Sequence, residues 1–133
     1  MSKKRYKRHA LSEFRYNNST GHPDYIFEES NNKYHSLGLT HDNYTFGKKN
    51  MPLHQNPKKK DFSPAYIRNG VNNSRKRNYS KKPIKNMTFS KDDFKNVKAK
   101  IRYYKKRRKK KQVANADKSA TYATCLTSIY SAE

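Results

Sequence analysis

Residues 21–41 read GHPDYIFEESNNKYHSLGLTH, and the fold turns on how this stretch is arranged. Two short runs rich in aromatic and branched residues, Tyr25-Ile26-Phe27 and Tyr34 to Thr40, flank Ser30-Asn31-Asn32-Lys33, whose short polar side chains suit a chain reversal. The pattern predicts a β-hairpin. If Tyr34 to His41 is extended, alternation puts His35, Leu37, Leu39 and His41 on one face and Tyr34, Ser36, Gly38 and Thr40 on the other. This region is also the acidic part of a basic chain. Residues 17–46 carry a formal charge of −3, against +5 for residues 1–16, +21 for 47–111 and −1 for 112–133.

On the N-terminal side, residues 1–20 form a basic segment ending in the polar breaker Asn17-Asn18-Ser19-Thr20-Gly21. A disordered basic arm is predicted there. On the C-terminal side, residues 47–64 hold Pro52, Pro57, Pro64, Gly47 and the run Lys58-Lys59-Lys60, which together predict a long loop. Strands are predicted near 65–68 and near 84–89, separated by a mobile basic loop centred on Arg75-Lys76-Arg77. Ser90-Lys91-Asp92-Asp93 has the S-x-x-D form of a capping box, with two aspartates where the helix dipole favours them. A helix follows, because Phe94, Val97, Ile101 and Tyr104 recur at spacings of three, four and three along one apolar stripe. Repulsion among the seven consecutive cations from Lys105 to Lys111 is expected to fray its end. Residues 112–133, rich in Ala, Ser and Thr, are predicted to be a disordered or loosely docked tail. The fold class is therefore α+β: one domain over 21–111, a small antiparallel sheet with one C-terminal helix, between an arm and a tail.

The chain has 133 residues, of which 32% are hydrophobic, and a net charge of +22. Its length allows one small core, and its charge balance makes polar ends hard to order. A single cysteine, Cys125, excludes an intramolecular disulfide and a cysteine zinc cluster. No run approaches the roughly 20 apolar residues of a membrane span, and no apolar stretch follows the basic N-terminus as in a signal peptide. A cytoplasmic location is expected, with no cofactor.

A field this positive attracts polyanions, and nucleic acid is the commonest one inside cells. The phosphate-contact candidates are Arg75, Lys76, Arg77, Lys105, Lys106, Arg107, Arg108, Lys109, Lys110 and Lys111. Tyr66, Tyr79, Tyr103 and Tyr104 lie among them and are placed to stack on unpaired bases, which favours RNA over duplex DNA. Five histidines invite a metal reading, yet no pair has a ligand spacing, and no metal site is assigned. An alternative role for histidine is metal-independent RNA cleavage, which needs a base, an acid and a cation at the phosphorane. His35, His41 and His54 are the candidate catalytic residues, with His22 or His54 converging on the face shared by His35 and His41.

The succession HPDYIF, YHSLGLTH, MPLHQNP, SPAYIR and TFSKDDF resembles small basic proteins of Gram-positive bacteria and their mobile elements. Its order of elements also resembles the barnase, EndoU and RelE-like ribonuclease toxins. The resemblance spans roughly residues 20–105. It implies an endoribonuclease toxin carrying His35, His41 and His54 as catalytic groups, with an acidic protein partner as antitoxin.

Overall fold

The computed structural model describes residues 8–120, with side chains through Lys111. These residues fall into two compact units that divide between Asn96 and Val97. The first contains an antiparallel sheet and the first turn of a helix; the second contains the rest of that helix.

The predicted hairpin is present as β2 (His22–Glu29) and β3 (Lys33–Thr40), with Asp24 opposite Gly38 and Tyr25 opposite Leu37. Its tight turn is closed by the Ser30 N–H donating to the Lys33 carbonyl at 3.0 Å. On the other side of β2 lies β1 (His9–Asn17), a nine-residue strand where a disordered arm was expected. Local pattern concealed it because the register shifts between Ala10 and Glu13, breaking the alternation. Its ordering comes from distant contacts. Phe14 is buried against Tyr25 and Phe89 at ring distances of 5.3 and 5.0 Å. Along its outer edge, the Ser80 and Ile84 N–H groups donate to the carbonyls of Tyr16 and Phe14 at 2.9 and 2.7 Å. The polar breaker is the turn into β2: Ser19 N–H donates to Asn17 Oδ1, and Gly21, at φ 73°, donates to the Asn17 carbonyl.

The far edge of β3 is shared by two partners. β7 (Tyr66–Ile67) pairs with Leu39–Thr40, close to its predicted place, and β6 (Met51–Pro52) pairs with β7. β8 (Asn72–Arg75) pairs with Lys33–Ser36. The segment read as a mobile basic loop thus supplies a strand, and residues 84–89 do not: they contribute a single bridge, Met87 with Lys58. An edge needs backbone groups, which Asn72–Arg75 provides whatever its side chains. A separate hairpin, β4 (Tyr44–Thr45) and β5 (Lys48–Lys49), turns at Phe46 and Gly47, both at positive φ as a type I′ turn requires.

Each face of the sheet has its own cover. On one, Phe14, Tyr25, Phe89 and Phe94 form an aromatic cluster with ring distances of 5.0 to 6.4 Å. On the other, Tyr79 packs on Ile26 and Tyr34, and its hydroxyl enters a buried polar network. Asp24, 2% exposed, lies within hydrogen-bond distance of Asn17 Nδ2, Ser36 Oγ and the Tyr79 hydroxyl at 3.1, 3.2 and 2.9 Å. Ser36 Oγ and the Tyr79 hydroxyl are themselves 2.8 Å apart. Tyr79 is therefore a structural residue and not a base-stacking one. Burial pushes its pKa up, outweighing the Ser36 hydrogen bond, and the charge of Asp24 adds to the rise.

The helix, α1 (Lys91–Ala120), starts where the capping box placed it. Asp93 N–H donates to Ser90 Oγ at 3.2 Å, but the Asp93 carboxylate does not complete the reciprocal half of the box. It instead accepts the backbone N–H groups of His54 and Gln55, at 2.9 and 3.1 Å, and so ties the helix start to the proline-rich loop. Within the second unit Val97 is buried and Ile101 and Tyr104 are half-buried, as the stripe predicts. The cationic run does not end the helix. α1 continues through Lys105–Lys111 to Ala120, so the front of the predicted tail is helical, while residues 121–133, with Cys125, lie outside the described residues. Arg107 and Arg108 lie 5.8 and 5.3 Å from the rings of Tyr103 and Tyr104, i,i+4 contacts that draw two of the cations onto aromatic faces.

Candidate nucleic-acid interface

The loop after β6 owes its shape to a few backbone bonds. Lys58 N–H donates to Asn56 Oδ1 at 3.0 Å and Asp61 N–H to the Lys58 carbonyl at 3.0 Å, which makes a tight turn presenting Lys58, Lys59 and Lys60. The Lys58–Met87 bridge and a Thr88 N–H bond to the Pro57 carbonyl at 3.2 Å hold this turn beside residues 84–88. Asn86, at φ 68°, bends that second segment, as asparagine does more readily than most residues. The result is a cavity of about 380 Å³ whose lining includes Lys58, Lys59, Lys60, Lys85 and Tyr16. All four lysines are solvent-exposed, and Tyr16 is 43% exposed.

A second cavity of about 200 Å³ shares Tyr16, Lys58 and Met87 with the first. His22, His41, Asn56 and Asp61 also line it. This is the open end of the β2–β3 hairpin, where β2 begins and β3 ends. His41 Nδ1 lies 2.9 Å from the Pro64 carbonyl. A carbonyl only accepts, so Nδ1 carries the proton and Nε2 is the free lone pair of the neutral ring. Ser63 Oγ is 3.5 Å from the same Nδ1 and donates to Asp61 Oδ1 in turn. Hydrogen bonds from the Ser63 hydroxyl and backbone hold the Asp61 carboxyl below its ordinary pKa, aided by the charges of His41 and Lys58.

The three sequence-predicted histidines do not meet. His35 is buried within the sheet, its ring against Phe27 and its Nδ1 on Asn73 Oδ1. Six residues along one strand separate it from His41, about 20 Å at 3.3 Å per residue, so a shared face was not a shared site. His54 lines a different cavity, of about 670 Å³, with Phe62, Asn56 and Phe89. His22, named only as a residue that would converge, is the histidine that shares a cavity with His41.

The predicted cations separate similarly. Lys76 is bonded to Glu29 at 2.9 Å and lies 5.3 Å from the Tyr34 ring, whereas Arg75 and Arg77 are exposed. In the second unit Lys106, Arg107, Lys109, Lys110 and Lys111 are exposed, Lys105 and Arg108 are half-buried, and Tyr103 is 64% exposed. Sequence reasoning missed the convergence of Lys85 and Tyr16 on Lys58–Lys60. The one legible signal was the lysine run itself, set among prolines in a long loop. Among the described residues no group of three His, Cys, Asp or Glu side chains is arranged to hold a metal ion, and no helix is long and apolar enough to cross a membrane. No protein-family model, curated protein or solved structure matches the chain.

Proposed function

We propose that this protein binds nucleic acid, with single-stranded RNA as the preferred form. The observation that carries the reading is the trough formed by Lys58, Lys59, Lys60 and Lys85 around the partly exposed Tyr16 ring. Four exposed cations lining one cavity suit phosphates, and a partly exposed aromatic ring in the same lining suits an unpaired base, which a paired strand would not offer. Tyr103 and the exposed cations of α1 supply a second stretch with the same chemistry. Phe46 and Phe62, 92% and 96% exposed, add aromatic surface open to stacking. The test is fluorescence anisotropy with labelled single-stranded RNA, single-stranded DNA and duplex DNA over a salt series. RNA binding should weaken steeply with salt, at a log–log slope of about −0.7 per phosphate contacted, and duplex should bind less well at equal salt. Equal affinity for duplex would remove the stacking argument, and no binding at low salt would remove the proposal.

A further inference from the structure

We propose that the cavity at the open end of the β2–β3 hairpin cleaves the RNA held in the adjoining lysine trough, with His41 as general base, His22 as general acid and Lys58 as the cation at the phosphate. The proposal rests on the RNA-binding reading and adds an activity to it. It stands on juxtaposition. Asp24 is opposite Gly38, so the same register carried outward puts His22 opposite Thr40, next to His41. Both histidines line this one cavity, where a phosphodiester can meet the two, and His35 and His54 do not line it. Lys58 and Tyr16 line both cavities, so a strand lying along the lysines adjoins the histidine cavity.

The chemistry needs no metal. His41 Nε2, left with its lone pair because Nδ1–H is committed to the Pro64 carbonyl, takes the proton of a ribose 2′-hydroxyl. The 2′-oxygen forms a bond to phosphorus while the bond from phosphorus to the 5′-oxygen breaks. His22, entering protonated, gives its proton to that leaving oxygen. The products are a 2′,3′-cyclic phosphate and a 5′-hydroxyl end, and proton exchange with water restores both rings. Lys58, exposed in the same cavity, offsets the charge that develops on the phosphorane. The other titratable groups lining the cavity are Tyr16 and Asp61. Asp61 reaches His41 through Ser63 and is a positioning residue: its charge favours the imidazolium formed when His41 takes the proton.

The experiment uses full-length protein in excess over a randomised pool of short single-stranded RNAs, end-labelled, with chelator present. Cleavage is read on sequencing gels, and RNA affinity by anisotropy on the same preparations. The expected result is cleavage leaving cyclic phosphate ends, a bell-shaped pH profile, and no cleavage of a pool carrying 2′-deoxyribose throughout. His22→Gln and His41→Gln should each lower the rate by about 10²- to 10⁴-fold with RNA affinity unchanged. His35→Gln and His54→Gln should leave both intact if the melting midpoint is unchanged. Asp61→Asn should lower the single-turnover rate at saturating protein without changing the protein concentration that gives half that rate, because the Ser63 bridge to His41 loses its carboxylate acceptor. Wild type that binds the pool without cleaving it overturns this inference and leaves the binding proposal standing, as does cleavage that survives both histidine variants. Failure of wild type to bind RNA overturns the binding proposal itself.

Discussion

Asp24 is a buried carboxylate in the sheet with the Asn17 amide and the Ser36 and Tyr79 hydroxyls around it, and its removal allows a quantitative forecast. Two hydroxyl protons, on Ser36 and Tyr79, serve three close contacts among Asp24, Ser36 and Tyr79, so at most two of those bonds exist at once. In Asp24→Ala one hydroxyl can turn to the other, but the second hydroxyl proton and the Asn17 amide lose their acceptor. Two buried donors left unsatisfied, at 1 to 3 kcal/mol each, give a loss of about 4 kcal/mol. For a unit of this size that is a fall of roughly 15 to 30 °C in melting midpoint. Tyr79→Phe leaves Ser36 still able to donate to Asp24 and takes a partner only from the half-buried Ser74, so it should cost only about 1 to 2 kcal/mol. The two changes share a partner, and the double variant should lose less than their sum by about 1 kcal/mol. Urea unfolding of all four proteins closes this cycle. Strict additivity, or an Asp24→Ala cost no larger than that of Tyr79→Phe, would refute the network as described.

Two further outcomes follow from the same contacts. Asp93→Ala removes the acceptor for the His54 and Gln55 N–H groups and should destabilise by about 2 to 4 kcal/mol, more than the 0.5 to 2 kcal/mol expected for the cap in Ser90→Ala; thermal melts of the two variants decide the order. Tyr79 has a folded pKa raised by burial above its ordinary value of 10.0, so its stabilisation is complete below pH 10 and is lost as pH rises past that value toward the folded pKa. Denaturant midpoints measured across that range should fall less steeply in Tyr79→Phe than in wild type, with Tyr25, also raised by burial, accounting for part of the remaining slope.

The hairpin, the Ser90 cap and the Phe94–Val97 stripe were legible because each is written in a local period or a local hydrogen bond. β1 and β8 were not, since both are held by what lies across from them: Phe14 by Tyr25 and Phe89, and Asn72–Arg75 by the open edge of β3. Charge density misled in both places, because cationic side chains at a sheet edge can face water while the backbone pairs. The same holds for Lys105–Lys111, where repulsion was weighed but the aromatic contacts at Tyr103 and Tyr104 were not. In the site, alternation grouped His35 with His41 by face, but it says nothing of the distance along a strand, and β3 ends at Thr40, one residue before His41. His22 shares a cavity with His41 because the hairpin returns it there, and Lys85 shares one with Lys58 through a bridge and a backbone hydrogen bond between remote loops.

The central claim is that the trough holds phosphates, and it is tested by the salt dependence of RNA binding in a variant with Lys58, Lys59, Lys60 and Lys85 all changed to Gln. If each lysine meets a phosphate, the variant's log–log slope should be shallower than wild type by about 3, four contacts at 0.7 each, with an unchanged melting midpoint. Neutralising Lys109, Lys110 and Lys111 instead would report the share carried by α1. A quadruple variant that binds with the wild-type slope and affinity would contradict the account, because the trough would then not be where the nucleic acid lies.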